Sequence, residues 1–97
     1  MKVNLVQISK INSLKMINKY KINKPIFFNN YLFHYLILTD NLRGLKLKKF
    51  PIFRINENDE NGFQIAAKNK NYNILNYLIN EYPDYIYNLN FNDENFM

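Results

Sequence analysis

Cysteine is absent from the chain. That removes disulfides, thiolate nucleophiles and cysteine-ligated zinc together, and it fits a reducing compartment. Glycine is reduced to Gly44 and Gly62, far apart in the sequence. A phosphate-cradling loop needs glycines clustered before a helix, so none is present. His34 is the single histidine. With no second imidazole three or four residues away, a metal site would need several carboxylates around one ring. Ser9 or Ser13, His34 and Asp40 can be written as a triad, but nothing in their spacing supports one. The acids Glu57, Asp59 and Glu60 lack the alternating ligands and terminal Glu of a calcium loop, and read as a solvated hairpin tip. No catalytic, cofactor-binding or metal-ligating residue is expected, and the chain does not read as an enzyme. His34 is expected to be a hydrogen-bonded histidine at a helix start.

Long apolar runs are also missing. The most apolar stretch, Pro25 to Leu38, is interrupted by Asn29, Asn30 and His34 and is too short for a bilayer core of about 30 Å. The first residues have no continuous apolar core and no small-residue cleavage site, unlike a secretory signal. Nor do they contain arginine before Arg43, unlike a mitochondrial presequence. The expected location is intracellular, with the cytoplasm first and no membrane partner.

Acids are nearly missing from the first half. Residues 1–54 carry eleven Lys/Arg against Asp40 alone, a net of +10, while residues 55–97 carry a net of −5, leaving +5 over the whole chain. Such asymmetry can mark an arm for nucleic acid or a membrane surface, two halves that attract one another, or a solvated helix face. Arg43, Lys46, Lys48, Lys49 and Arg54, with Phe50 and Phe53 among them, could touch phosphates and stack on bases. Lys15, Lys19, Lys21 and Lys24 could extend that surface.

Asparagine, by contrast, is abundant, at 19 of 97 residues. Apolar residues interrupt it throughout, unlike a prion-like tract, and together with abundant Ile, Lys and Tyr it reads as compositional drift. At this length the chain forms at most one domain. Apolar spacing predicts an amphipathic helix over residues 3–20, broken near Ser9 to Ser13, followed by a connector. Asn30 is expected to cap a helix over Tyr31 to Leu38. Thr39-Asp40-Asn41 is a turn, and Leu42, Leu45 and Leu47 form a second short helix ending before Pro51. Residues 52–62 form a loop. A short helix follows over Gln64 to Lys70, then a longer one over Tyr72 to Tyr82. Ile74, Leu75, Leu78 and Ile79 lie on one stripe of the longer helix. Pro83 stops it, and 84–97 are extended. Small residues at Ala66-Ala67 would let the first helix of this pair lie close to a neighbour.

The word Asn58-Asp59-Glu60-Asn61 recurs as Asn92-Asp93-Glu94-Asn95. The step from Asn58 to Asn92 is the length of a stacking helix–turn–helix repeat. At this point the chain resembles the ankyrin repeat family. The family's Ala-Ala pair, Gly-His or Gly-Asn turn, Ile-Val pair and Leu-Leu pair are matched in spacing by Ala66-Ala67, Lys70-Asn71, Ile74-Leu75 and Leu78-Ile79. Asn58-Asp59 and Asn92-Asp93 resemble the word at the turn between repeats. Leu32-Phe33-His34-Tyr35 resembles the segment that opens the first helix, with Phe33 in the Leu place and His34 in the His place. Asp40-Asn41 then falls at the turn.

Departures from the pattern are clear. Phe63-Gln64-Ile65 replaces the opening segment in the second unit, where the stretch from Asp59 to Ala66 is also shorter than the pattern. Lys70 and Asp40 replace the turn glycine, and Leu36-Ile37 replaces Ala-Ala. The match is best over 58–93.

The resemblance implies an all-α, ankyrin-like α-solenoid: a short stack of antiparallel helix pairs that an N-terminal helix can cap. The expected organisation is a basic helical segment and connector at 1–29, then degenerate repeats at 30–97, divided at about 30–55 and 56–88 with another beginning at 89–97. About three repeats are normally needed for a stable stack. The N-terminal helix therefore caps two repeats, or the chain is a truncated relative of a longer array. The implied function is a non-catalytic protein–protein interaction module, its partner unknown, binding through hairpin tips and first helices. By the resemblance, Arg54, Glu57 and Asn58 at the tip and Gln64 and Lys68 on the helix are the partner-binding candidates. The alternatives are a basic nucleic-acid-binding module and a truncated repeat fragment without independent function.

Overall fold

The computed structural model describes residues 3–27 and 29–83. The expectations for Asp84 to Met97, including the second Asn-Asp-Glu-Asn word and the start of another repeat, lie outside them. The protein is all-α, with no strand among the described residues and one isolated bridge between Phe27 and Asn30. Among the described residues, six short helices fall into three consecutive pairs: α1 (Leu5–Ser9) and α2 (Leu14–Ile17), α3 (Leu32–Leu38) and α4 (Leu42–Leu45), α5 (Gly62–Lys68) and α6 (Tyr72–Glu81). The first helices form a row, α3 packing against both α1 and α5, while α4 packs on α3 and α6 on α5. The molecule measures 39 × 25 × 22 Å. No helix among the described residues is long and apolar enough to cross a membrane.

Asparagine builds much of this local structure, so the drift reading is incomplete. Asn4, Asn41 and Asn61 each cap a helix, their side-chain oxygens accepting from the backbone N–H of Gln7, Gly44 and Gln64 at 3.1, 2.9 and 3.0 Å. Such a bond satisfies one of the donors that a helix leaves unpaired at its start. Ser13 caps α2 in the same way through Met16. The expected cap Asn30 lies one residue too early. Tyr31 is the first flanking residue of α3, and its N–H donates to Nδ1 of His34 at 2.8 Å. The imidazole thus does what a Gln does at α5, where the Asn61 N–H donates to Oε1 of Gln64 at 2.9 Å.

The second and third pairs share one hydrogen-bond register. The N–H of Ile26 donates to the carbonyl of Asn30 at 2.8 Å, and that of Asn56 to Glu60 at 2.9 Å. Lys24 to Lys21 is matched by Arg54 to Pro51, Thr39 to Tyr35 by Asn69 to Ile65, and Asn41 to Leu36 by Asn71 to Ala66. Every match has the same offset, that from Ile26 to Asn56, which is shorter than the step between the two Asn-Asp-Glu-Asn words. Asp40 and Lys70 close the two interhelical turns at φ 57° and 58°, the left-handed region where glycine is the least strained residue.

One apolar core runs through all three pairs, from Ile8, Ile11 and Ile17 through Phe33 and Leu45 to Ile74 and Leu78. Ala66 is fully buried, but Ala67 is exposed, so one member of the Ala pair makes the close packing. On α6, Ile74 and Leu78 are buried, Leu75 is half-buried and Ile79 is 40% exposed. The stripe is narrower than expected because α6 meets the core along one line. Asparagine side chains tie the pairs together. Nδ2 of Asn41 donates to the carbonyls of Ile8 and Ile11 at 2.9 and 3.0 Å, and Nδ2 of Asn71 donates to that of Ile37 at 2.7 Å.

Candidate functional site

A groove of about 320 Å³ runs between α3 and α5 under two turns. Phe27 and Asn30 come from the first turn and Asn56, Glu57, Asn58 and Glu60 from the second. α3 contributes His34, Tyr35 and Leu38, while Ile65, Lys68 and Asn69 come from α5 and its end.

The second turn is organised by Asn56, which is 7% exposed. Its Oδ1 accepts from the N–H groups of Asn58 and Glu60 at 2.9 and 3.0 Å. Its Nδ2 donates to Oε1 of Glu60 at 3.3 Å. Asp59, at φ 60°, completes the reversal. A buried amide with both ends engaged fixes the shape of the turn, and Glu57 and Asn58 project from it as exposed side chains.

His34 anchors the same turn from below. It is 3% exposed. Nδ1 accepts from Tyr31, so the ring proton is on Nε2, which donates to the Arg54 carbonyl at 3.0 Å. Burial lowers its pKa below the ordinary 6.5, against the opposing hydrogen bond to Arg54. The ring is neutral at pH 7, with both nitrogens engaged in holding backbone, as expected for a histidine at a helix start.

Charge in the groove is largely paired. Nζ of Lys68 lies 3.1 Å from Oε2 of Glu60. Burial pushes the Glu60 carboxyl up, but hydrogen bonds from Lys68 and Asn56 and the Lys68 charge outweigh it and hold the group below its ordinary value. Burial raises the Tyr35 hydroxyl, and the negative charge of Glu57 raises it further. Glu57 itself has no ion-pair partner among the described residues.

Of the five residues singled out from sequence, Glu57, Asn58 and Lys68 meet in the groove. Arg54 and Gln64 do not line it. Arg54 offers its carbonyl to His34, and Gln64 caps α5 through its side-chain oxygen. Sequence reasoning missed Phe27, Tyr35 and Leu38. The shared register could have found Leu38 and Phe27, since these are the counterparts of Lys68 and Glu57 in the preceding unit.

In the basic stretch Arg43, Lys46, Lys48, Lys49 and Arg54 are exposed, as is Phe53 at 57%. Phe50 is buried, and its N–H donates to the Tyr82 hydroxyl at 3.3 Å. Lys49 stands 4.7 Å over the Tyr82 ring and 3.5 Å from the Glu81 carboxylate, and Lys46 is 5.8 Å over Tyr77. Lys48 donates to Oδ1 of Asn18 at 3.3 Å. These lysines join the basic half to α6 and to α2. No group of His, Asp and Glu suited to a metal ion occurs among the described residues. No protein-family model, curated protein or solved structure matches the chain.

Proposed function

We propose that the chain is a non-catalytic protein-binding module built as a short ankyrin-like stack, taking its partner in the groove between α3 and α5. The supporting observation is the shared register of the second and third helix pairs. The same turn, helix, left-handed residue and second helix recur at one constant offset, and the first helices lie side by side. Stacking of this kind generates a surface lined by first helices and turn tips. The groove fits that description, being formed by α3, α5 and the tips at Phe27 and Glu57–Asn58. The first pair, whose backbone carbonyls at Ile8 and Ile11 receive Asn41, takes the capping position.

Nucleic acid stands second. Phe53 is exposed, but Phe50 is buried, and two of the lysines lie over the rings of Tyr77 and Tyr82. The test is a photo-crosslinking amino acid placed at position 58 or at the 61%-exposed Tyr72 on α6. A discrete protein adduct is expected from position 58 and not from position 72. Adducts that are destroyed by nuclease, equal adducts from both positions, or none from position 58 would overturn the reading.

A further inference from the structure

Resting on that reading, we infer that the groove takes a basic-apolar peptide segment of another protein, one with a lysine or arginine next to a large apolar side chain. Charge complementarity carries the inference. The Lys68 cation is already held by Glu60 at 3.1 Å, which leaves Glu57 as the uncompensated charge lining the groove. Glu57 is exposed at the tip, with exposed Asp59 close behind it. This acidic rim belongs to a chain of net charge +5 in which positions 1–54 carry a net of +10. A cationic segment approaching the molecule is repelled by its basic half and attracted here. Such a field distribution selects partner and register more than it adds affinity.

The second requirement comes from the opposite wall. Leu38 is 49% exposed, and Tyr35 is half-buried beside it on α3. Where the third pair presents the Lys68 ammonium, the second presents the Leu38 side chain. The groove therefore has an apolar wall from α3 facing a charged wall from α5 and the tip. A purely basic ligand leaves the Leu38 wall wet, and a purely apolar one leaves Glu57 unpaired. A cation beside an apolar residue satisfies both. The exposed Asn58 amide lies where it can bond an extended peptide backbone.

The experiment is selection of a displayed library of random short peptides on the immobilised full chain, repeated on Glu57→Lys and Leu38→Asn. Both positions are exposed, and unchanged circular dichroism checks the fold. Enriched peptides should pair Lys or Arg with a neighbouring Leu, Ile or aromatic residue. On Glu57→Lys the preference should turn to Asp or Glu. A selected peptide should bind Glu57→Gln about fivefold more weakly at low salt, with the difference shrinking as salt rises. Peptides that are neutral or acidic on the natural chain, yet are lost with Leu38→Asn, would overturn the charge assignment and leave the groove reading standing. Binding untouched by Leu38→Asn, or no enrichment at all, would sink both. Self-association that depends on Glu57 would identify a second copy as the occupant and overturn the proposal.

Discussion

The helix pairs α3/α4 and α5/α6 have one backbone register but fill it with different side chains. Where the second pair has Leu36 and Gly44, the third has Ala66 and Ile74, and all four are buried. A Cβ added to Gly44 would come within 2.9 Å of Cδ2 of Leu36. The large residue has changed helices between units while the pair keeps a comparable total volume. The lesson is that hydrogen bonds and turns define the repeat, and packing needs only to fill the space between its helices. A search for Ala-Ala at the second pair fails for that reason.

This exchange gives the largest effects. Leu36→Ala should cost about 2–5 kcal/mol by leaving a cavity, and Gly44→Ile alone should destabilise by overpacking. Adding Gly44→Ile to Leu36→Ala should recover part of the loss, because the pair then imitates Ala66 and Ile74. Recovery is partial, since the new side chain also meets Asn41, whose Nδ2 lies 2.9 Å from the Cβ position. Urea unfolding of the four proteins measures the coupling. Simple additivity would break the comparison.

Asn41 and Asn71 hold the same place with unequal loads. Asn41 is buried, caps α4 and binds the two carbonyls of Ile8 and Ile11. Asn71 is half-buried, with one side-chain bond, to Ile37. Leaving buried polar groups unpaired costs about 1–3 kcal/mol. Asn41→Ala should fall at the upper end and Asn71→Ala near or below the lower end, by thermal or urea unfolding. Equal losses would mean that docking of the first helix pair does not depend on Asn41.

How much of this was legible in sequence depends on what each feature needs. Ala66 to Leu78 could be read because small and apolar residues fall on one helical stripe and the turn residues sit between them. The helix pairs, the interhelical turns and the exposed tip at Glu57 and Asn58 follow from local spacing. The cap of α3 did not, because an imidazole replaces the hydroxyl or carboxamide that the pattern looks for. Nor did Asn56, whose burial depends on the fold of the whole turn and which is one asparagine among 19. Phe50 suggested a stacking platform, but its neighbour in space is Tyr82, far along the chain on the end of α6. The apolar wall of the groove was missed because Tyr35 and Leu38 look like ordinary core residues until the shared offset makes Leu38 the counterpart of Lys68.

His34 and Gln64 extend the comparison to pH. His34 is neutral when buried, with its folded pKa below the ordinary 6.5. Below about 6.5 the unfolded chain therefore binds more protons than the folded one, so stability falls as pH falls through that region. Protonation also removes the Nδ1 lone pair that takes the Tyr31 N–H. His34→Gln copies the third pair, whose carboxamide makes the same bond. Thermal unfolding between pH 7 and 5 should show that this variant loses the His34 share of the slope, at a cost of about 1 kcal/mol or less for the bond to Arg54. Histidine and glutamine proteins with the same slope would remove His34 as the source.

The smallest effect lies in the interhelical turns, and it should be a gain. Asp40 and Lys70 occupy φ 57° and 58°. A left-handed conformation costs an ordinary L-residue about 1–2 kcal/mol, and aspartate tolerates it better than lysine. Glycine has no such strain but loses about 0.5–1 kcal/mol through its greater freedom when unfolded. The Lys70 side chain is exposed, with no ion pair among the described residues, so little else is lost. Lys70→Gly should therefore stabilise the protein by roughly 0.5 kcal/mol, and Asp40→Gly should be closer to neutral. A fall in melting temperature for Lys70→Gly would mean that the two turns are not equivalent, and the shared register would then end at Asn69.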